Sequence, residues 1–172
     1  MNELATIASV GRSFCTFRIA RRLHGIDVLY VREISLPLAM TPVPQAPAAV
    51  RGLVNLRSRI YLVLDLRPLL AMASVPCTES SRLVILKPEI GQDIGLLVEE
   101  GGDIVHLRTD LIDTSAGAGD SSRERATSLV VGVGKLESEL MILVDPRQIV
   151  ESIASLFDEA PRLNRENQET LT

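Results

Sequence analysis

Tryptophan is absent, and only five of the 172 residues are aromatic: Phe14, Phe17, Tyr30, Tyr61 and Phe157. That scarcity excludes the base-stacking platform that single-stranded nucleic acids need, and it makes the core aliphatic. A net charge of −4 removes any general attraction to nucleic acid or to an anionic membrane surface. Cysteine is scarce too. Cys15 and Cys77 lie far apart and outside any C-x-x-C spacing, so neither a disulfide framework nor a structural zinc site is expected. Both are read as small core residues. No stretch reaches the ~20 uninterrupted apolar residues of a membrane span. The N-terminus MNELATIASVGRSF has no basic region followed by a long apolar run, so no signal peptide is read there. The expected compartment is the cytoplasm.

The motifs of catalysis are also missing. There is no G-x-S-x-G, no H-E-x-x-H and no glycine-rich phosphate loop. His24 is placed in a polar turn and His106 late in the chain, each without a second ligand at metal-binding spacing. Glu99 and Glu100 are adjacent, so on a strand they point to opposite faces. No enzyme activity, metal or cofactor is expected.

What is present is hydrophobic and repeated. Hydrophobic residues make up 46% of the chain, enough to bury a core over most of its length. The stretch Val50–Leu70, VRGLVNLRSRIYLVLDLRPLL, reads as strand, tight turn, strand, then a helical turn capped by Asp65. Eighty positions later Val130, Gly132, Leu136, Ser138, Asp145 and Arg147 repeat Val50, Gly52, Leu56, Ser58, Asp65 and Arg67. Apolar positions match as well: Leu53 with Val133, Ile60 with Leu140, Val63 with Leu143. The chain reads as duplicated.

Along the chain, Ser13–Ala20 is the expected first strand after a lead-in over residues 1–12. Ala20–Gly25 is the expected turn and Ile26–Ile34 the partner strand. Proline excludes Pro37–Pro47 from a central strand, so it is a surface loop. Ser74–Ser81 is a polar connector, taken as the seam near 74–81 between the halves. Arg82–Pro88 and Gln92–Val98 form a hairpin about Glu89-Ile90-Gly91, Glu99–Asp103 breaks the run, and Ile104–Leu107 is extended. Asp113–Ser128, rich in Gly and Ser, is a loop. Val130–Lys135 and Leu140–Val144 make the last hairpin. Asp145 then caps a helix over Pro146–Phe157, with Ile149, Ile153 and Leu156 on one face. Residues 158–172 are a polar tail. The expected architecture is mainly β, with two small five-stranded barrel subdomains packed together over 13–157, short helices and a C-terminal helix.

Charge placement is the remaining signal. Arg51, Arg57, Arg59 and Arg67 crowd Val50–Leu70 in an acidic protein, and Arg59 and Arg67 are read as a solvated face. In the matched second turn Glu137 and Glu139 stand where the first has Arg57 and Arg59. Function is therefore expected on surfaces, not in a pocket.

Val50–Leu66 resembles the signature of the CheW-like family of bacterial chemotaxis adaptors, V-[KR]-G-[VL]-x-N-L-R-G-x-I-x-P-V-x-D-L. Val50, Arg51, Gly52, Leu53, Asn55, Leu56, Arg57, Ile60, Val63, Asp65 and Leu66 fit it. Val31-Arg32-Glu33-Ile34 resembles the family's V-x-E-I, and Ile94–Val98 and Met141–Asp145 resemble later segments, so the likeness spans about 13–156. Ser58 stands where the family usually has Gly, and Leu62 where it usually has Pro. The resemblance implies SH3-like barrels and a non-enzymatic adaptor, cytoplasmic at membrane-associated receptor arrays. It would couple methyl-accepting chemoreceptor cytoplasmic tips to the regulatory domain of a CheA-type histidine kinase. Alternatives are a competitor or array regulator that binds only one of the two, and a small-ligand-binding barrel. Carried over by motif, Val31, Glu33, Gly52, Asn55 and Arg57 are the expected receptor or kinase contacts. Opposite charge in the two motifs predicts a Glu33–Arg57 ion pair.

Overall fold

A computed structural model describes residues 10–37, 39–115 and 128–159. The strands are β1 (Gly11–Ile19), β2 (Arg22–Asp27), β3 (Val31–Ser35), β4 (Val50–Leu56), β5 (Arg59–Asp65), β6 (Arg82–Leu86), β7 (Ile94–Val98), β8 (Glu100–Arg108), β9 (Ile112–Asp113), β10 (Val130–Lys135) and β11 (Leu140–Val144). Two helices follow hairpins: α1 (Leu66–Leu69) after β5 and α2 (Pro146–Glu159) after β11. One six-stranded sheet runs β8-β1-β2-β11-β10-β9, and one five-stranded sheet runs β3-β6-β7-β5-β4. The fold is mainly β, as expected. Each sheet is an open order of strands with two ends, the first gaining a sixth strand from the two-residue β9.

The repeat is written into the register. In β4–β5 the pairing slips between Val50 and Gly52, and in β10–β11 it slips between Val130 and Gly132, so both hairpins carry the same bulge. Each returning strand then lies parallel to a hairpin strand from elsewhere: Val63 beside Gly95, and Leu143 beside Gly25. Gly25 and Gly95 are thus counterparts, and so are the hairpins β1–β2 and β6–β7. The bridge Thr41–Leu53 has its counterpart in Asp113–Val133. Both helices start from an aspartate cap, Asp65 accepting from Arg67 N and Asp145 from Arg147 N, each at 2.9 Å.

By this register the counterpart stretches are 11–70 and 82–159, and the connector 74–81 lies between them. It does not separate the sheets, because the repeats have exchanged their first hairpins. β1–β2 joins β8–β11, and β6–β7 joins β3–β5. Strand membership follows burial across the whole molecule, which no local pattern encodes. One core collects both sheets and the closing helix: Phe17, Ile19 and Ile26; Leu64, Val84, Leu86 and Leu96; Val144, Ile149 and Ile153.

Four local expectations need correcting. Ile26–Ile34 is not one strand. Asp27 caps a 3-10 turn over Val28–Tyr30 by accepting from Leu29 N at 2.9 Å, and the chain then passes into the other sheet as β3. The first turn is only Ala20-Arg21, both at positive φ, so His24 lies within β2 and is 3% exposed. Glu99–Asp103 breaks the run only at Glu99, where the chain leaves β7 in one sheet for β8 in the other, and Glu100–Asp103 belongs to β8. Cys15 is buried as expected, but Cys77 is exposed. Most of the lead-in, most of the 113–128 loop and nearly all of the tail lie outside the described residues.

The candidate docking turn and its family

The turn at Arg57-Ser58 follows from two residues in left-handed backbone, φ 52° and 64°. That pair closes a two-residue hairpin loop between Leu56 and Arg59, which face each other across β4 and β5. The geometry throws Arg57 outward, where its side chain is 78% exposed. Its Nη1 donates to Glu33 Oε2 at 2.9 Å. Glu33 sits on β3, and β3 and β4 are opposite ends of the five-stranded sheet. The ion pair therefore ties the sheet's two ends together where no backbone ladder does. Arg32 of β3 adds a second tie, its Nη1 donating to the hydroxyl of buried Tyr61 on β5 at 3.5 Å.

A second brace holds the other side of the turn. Arg59 Nε donates to Asp93, and Leu62 N donates to Asp93 O at 2.8 Å. Arg59 is thus not simply a solvated charge, and Arg67 likewise pairs with Glu99. Neither acid carries a motif. Only the fold brings the turn before β7 against β5.

Of the five expected site residues, Glu33 and Arg57 are brought into contact. Asn55 is exposed near the tip of β4, opposite Ile60, itself 52% exposed. Exposed Ile34 follows Glu33 on β3. Val31 is half-buried and packs against the main core, opposite Leu86. Gly52 is buried at the bulge, φ +142°, and a Cβ there would stand 2.5 Å from Thr41 O. Gly52 shapes the hairpin, while Asn55 and Arg57 face solvent beside it and Glu33 is half-buried beneath Arg57. Sequence reasoning missed Ile34 and Ile60; Ile60 was readable from alternation, as the outward neighbour of buried Tyr61 and Val63 on β5, whereas Val31–Ser35 carries no apolar alternation to mark Ile34.

The acidic counterpart turn is arranged differently. Glu139 accepts from Arg18 at 2.7 and 3.0 Å, and that fork holds its carboxyl below the usual range. Among the described residues no cluster of three His, Cys, Asp or Glu is placed to hold a metal. No described helix is long and apolar enough to cross a membrane.

The CheW-like domain matches residues 13–154. The chain belongs to this family. The chemotaxis protein CheW of Klebsiella aerogenes is 30% identical over 158 residues, covering 88% of this chain and 92% of the relative. CheW of Rhizobium meliloti is 28% identical over 145 residues, covering 84% and 90%. The scaffolding protein TtCheW from Thermoanaerobacter tengcongensis superposes with a TM-score of 0.68 at 24% identity, over 78% of this chain and 89% of that one. This CheW-like chain departs from the family signature at Ser58, the residue now seen at φ 64°, a conformation glycine adopts without cost.

Proposed function

We propose that this CheW-like protein is an adaptor coupling chemoreceptor cytoplasmic tips to the regulatory domain of a CheA-type histidine kinase. It would work in the cytoplasm at receptor arrays, holding partners in place without chemistry of its own. Family membership supports the class of partner. The observation that carries the site is the exposed Asn55–Ser58 turn, held by the Glu33–Arg57 pair with Ile34 and Ile60 exposed beside its two acid–base partners. Charge flanked by aliphatic surface suits a protein interface, where polar contacts set register and apolar area adds affinity. Val31 and Gly52 serve this turn from within, one packing β3 down and the other setting the bulge of β4.

An ion pair this exposed contributes about 0–1 kcal/mol to folding, so its role is orientation. Glu33→Ala and Arg57→Ala should each lower affinity for at least one partner about five- to thirtyfold, equivalent to 1–2 kcal/mol, with little change in melting temperature. Titration calorimetry against a purified receptor tip and a kinase regulatory domain measures both partners. Unchanged affinity for both in either variant would sink the assignment. Wild-type binding to one partner only would make the protein a competitor instead of a coupler.

A further inference from the structure

The internal repeat allows one half of the molecule to be compared with the other, and the comparison exposes an unmatched cleft. It lies on the six-stranded sheet, has a volume of about 210 Å³, and is lined by Arg12, Asp27, Ile112, Val131, Asp145 and Arg147 among others. The register gives each of these a counterpart in the five-stranded sheet: Ser81, Leu97, Met40, Arg51, Asp65 and Arg67. There the cleft is split. Pro76 and Cys77, from the connector after α1, line both an open part with Met40 and Arg51 and a nearly closed part of about 10 Å³ with Asp65, Arg67, Ser81 and Leu97. A segment of the chain itself, Val75–Glu79, thus lines the first cleft, with Pro76 and Cys77 between its two parts. In the second repeat the corresponding chain has become the α2 helix, and among the described residues no such segment takes its place.

Charge distinguishes the two sites in the same way. Arg67 is met by Glu99, and Asp65 by Arg51 Nη1 at 3.4 Å. Arg147 uses Nε and Nη2 on Asp145 and lies 5.2 Å over the Tyr30 ring. Arg12 holds Asp27 through Nε and Nη2 at 2.9 Å and lies over Phe14. Among the described residues no acceptor meets the Nη1 group of either arginine, and both side chains are about half exposed. Two donor edges therefore flank an apolar floor of Phe14, Leu143 and Val144.

We propose that this cleft is a docking groove for an extended apolar peptide segment bearing a carboxylate, supplied by a partner protein. The Val75-Pro76 step that lines the counterpart cleft sets the apolar part of the occupant, and the two Nη1 groups that meet no described acceptor set its carboxylate. The carboxylate would bridge Arg12 and Arg147 as a charge-assisted contact. The groove is separate from the Arg57 turn and does not depend on the role proposed for it.

The test uses a synthetic peptide of residues 74–80, with Ser in place of its cysteine, titrated into the full-length ¹⁵N-labelled protein. Saturable shifts at Tyr30, Ile112, Thr114 and Val131 are expected, lost in Thr114→Trp, a substitution at an exposed lining position. Far-ultraviolet circular dichroism confirms that this variant folds. No shifts at millimolar peptide, shifts that persist in Thr114→Trp, or shifts confined to residues around Arg51 and Cys77 would each overturn the proposal. Shifts that arise from raising protein concentration alone would assign the groove to a second copy, and overturn it equally.

Discussion

At Gly52 the backbone and the space agree on one residue. A φ of +142° is open only to glycine, and the carbonyl of Thr41 occupies the place of a side chain. Its counterpart Gly132 would set a Cβ 2.8 Å from Asp113 O but lacks the left-handed φ. Gly52→Ala should therefore cost about 3 kcal/mol or more, strain added to overlap, and Gly132→Ala about 1–3 kcal/mol. Urea unfolding of both variants checks the order, and equal losses would contradict it. The glycine was visible in the sequence as a residue repeated eighty positions later, though not as a bulge, and the Glu33–Arg57 contact as opposite charges in two motifs. Asp93 was not visible, because an acid in a turn has no mark until β7 is laid beside β5. His24 was misplaced for a similar reason: a turn made by Ala20 and Arg21 at positive φ carries no glycine signal, whereas Gly25 carries a false one. The buried ring stacks on Phe17 at 5.8 Å, and its Nδ1 donates to Arg22 O at 2.8 Å. Burial pushes its pKa below the ordinary 6.5, although the Arg22 carbonyl and Glu99 act in the opposite direction. The unfolded chain then takes up the proton first as pH falls through about 6.5, so stability is full above that point and declines below it. Comparing urea midpoints at pH 7.5 and pH 5, His24→Phe should lose less than the wild type. An equal drop in both would remove His24 as a cause.

Among the elements, the hairpins and the closing helix were legible and the sheet edges were not. Alternation and β-branched runs mark β4, β5, β10 and β11 because each has one buried face, and Asp65 and Asp145 mark the helix starts because a carboxylate satisfies free N–H groups there. The first half of β8 escaped, although Ile104–Leu107 was read as extended, because an edge strand that is almost wholly exposed has no hydrophobic period and its Gly101-Gly102 reads as a breaker. Asp27 hid the end of β2 inside an apolar run, since Val28–Tyr30 looks extended until its capped 3-10 turn is seen. Helix α2 illustrates how burial ranks residues of one face. Ile149 and Ile153 are 0% and 4% exposed within the shared core, whereas Leu156 only packs against its margin. Ile149→Ala should cost about 2–5 kcal/mol, and Leu156→Ala clearly less, because the margin can collapse or rehydrate. Thermal melts of the two variants decide this, and a Leu156 loss matching that of Ile149 would mean the helix docks through its last turn as well.

Over the whole molecule, a sequence repeat and a structural unit turn out to be different objects. The eighty-residue echo identifies repeats 11–70 and 82–159, yet each sheet takes its first hairpin from one repeat and the rest from the other. The exchange is invisible locally, since β1–β2 and β6–β7 carry the same pattern and would satisfy either partner. It has a thermodynamic consequence. Repeat 11–70 alone would keep β4 and β5 but lack β6 and β7, leaving Val63 and Leu64 without the parallel strand that covers them. Repeat 82–159 alone would lack β1 and β2, so Met141 and Leu143 would lose Phe14 and Leu23, and β8 would lose the strand it pairs with. A fully buried aliphatic side chain is worth about 1.5–3 kcal/mol, and several lost at once exceed the 5–15 kcal/mol of a typical domain. Residues 1–74 and 80–172, expressed separately, should therefore each lack near-native amide dispersion by NMR and should regain it when mixed, as the exchanged hairpins find their sheets. The intact chain should unfold in one cooperative transition, with fluorescence of Tyr30 and Tyr61 tracking circular dichroism. A fragment that folds alone, or two separate transitions in the intact chain, would show that the repeats are independent after all.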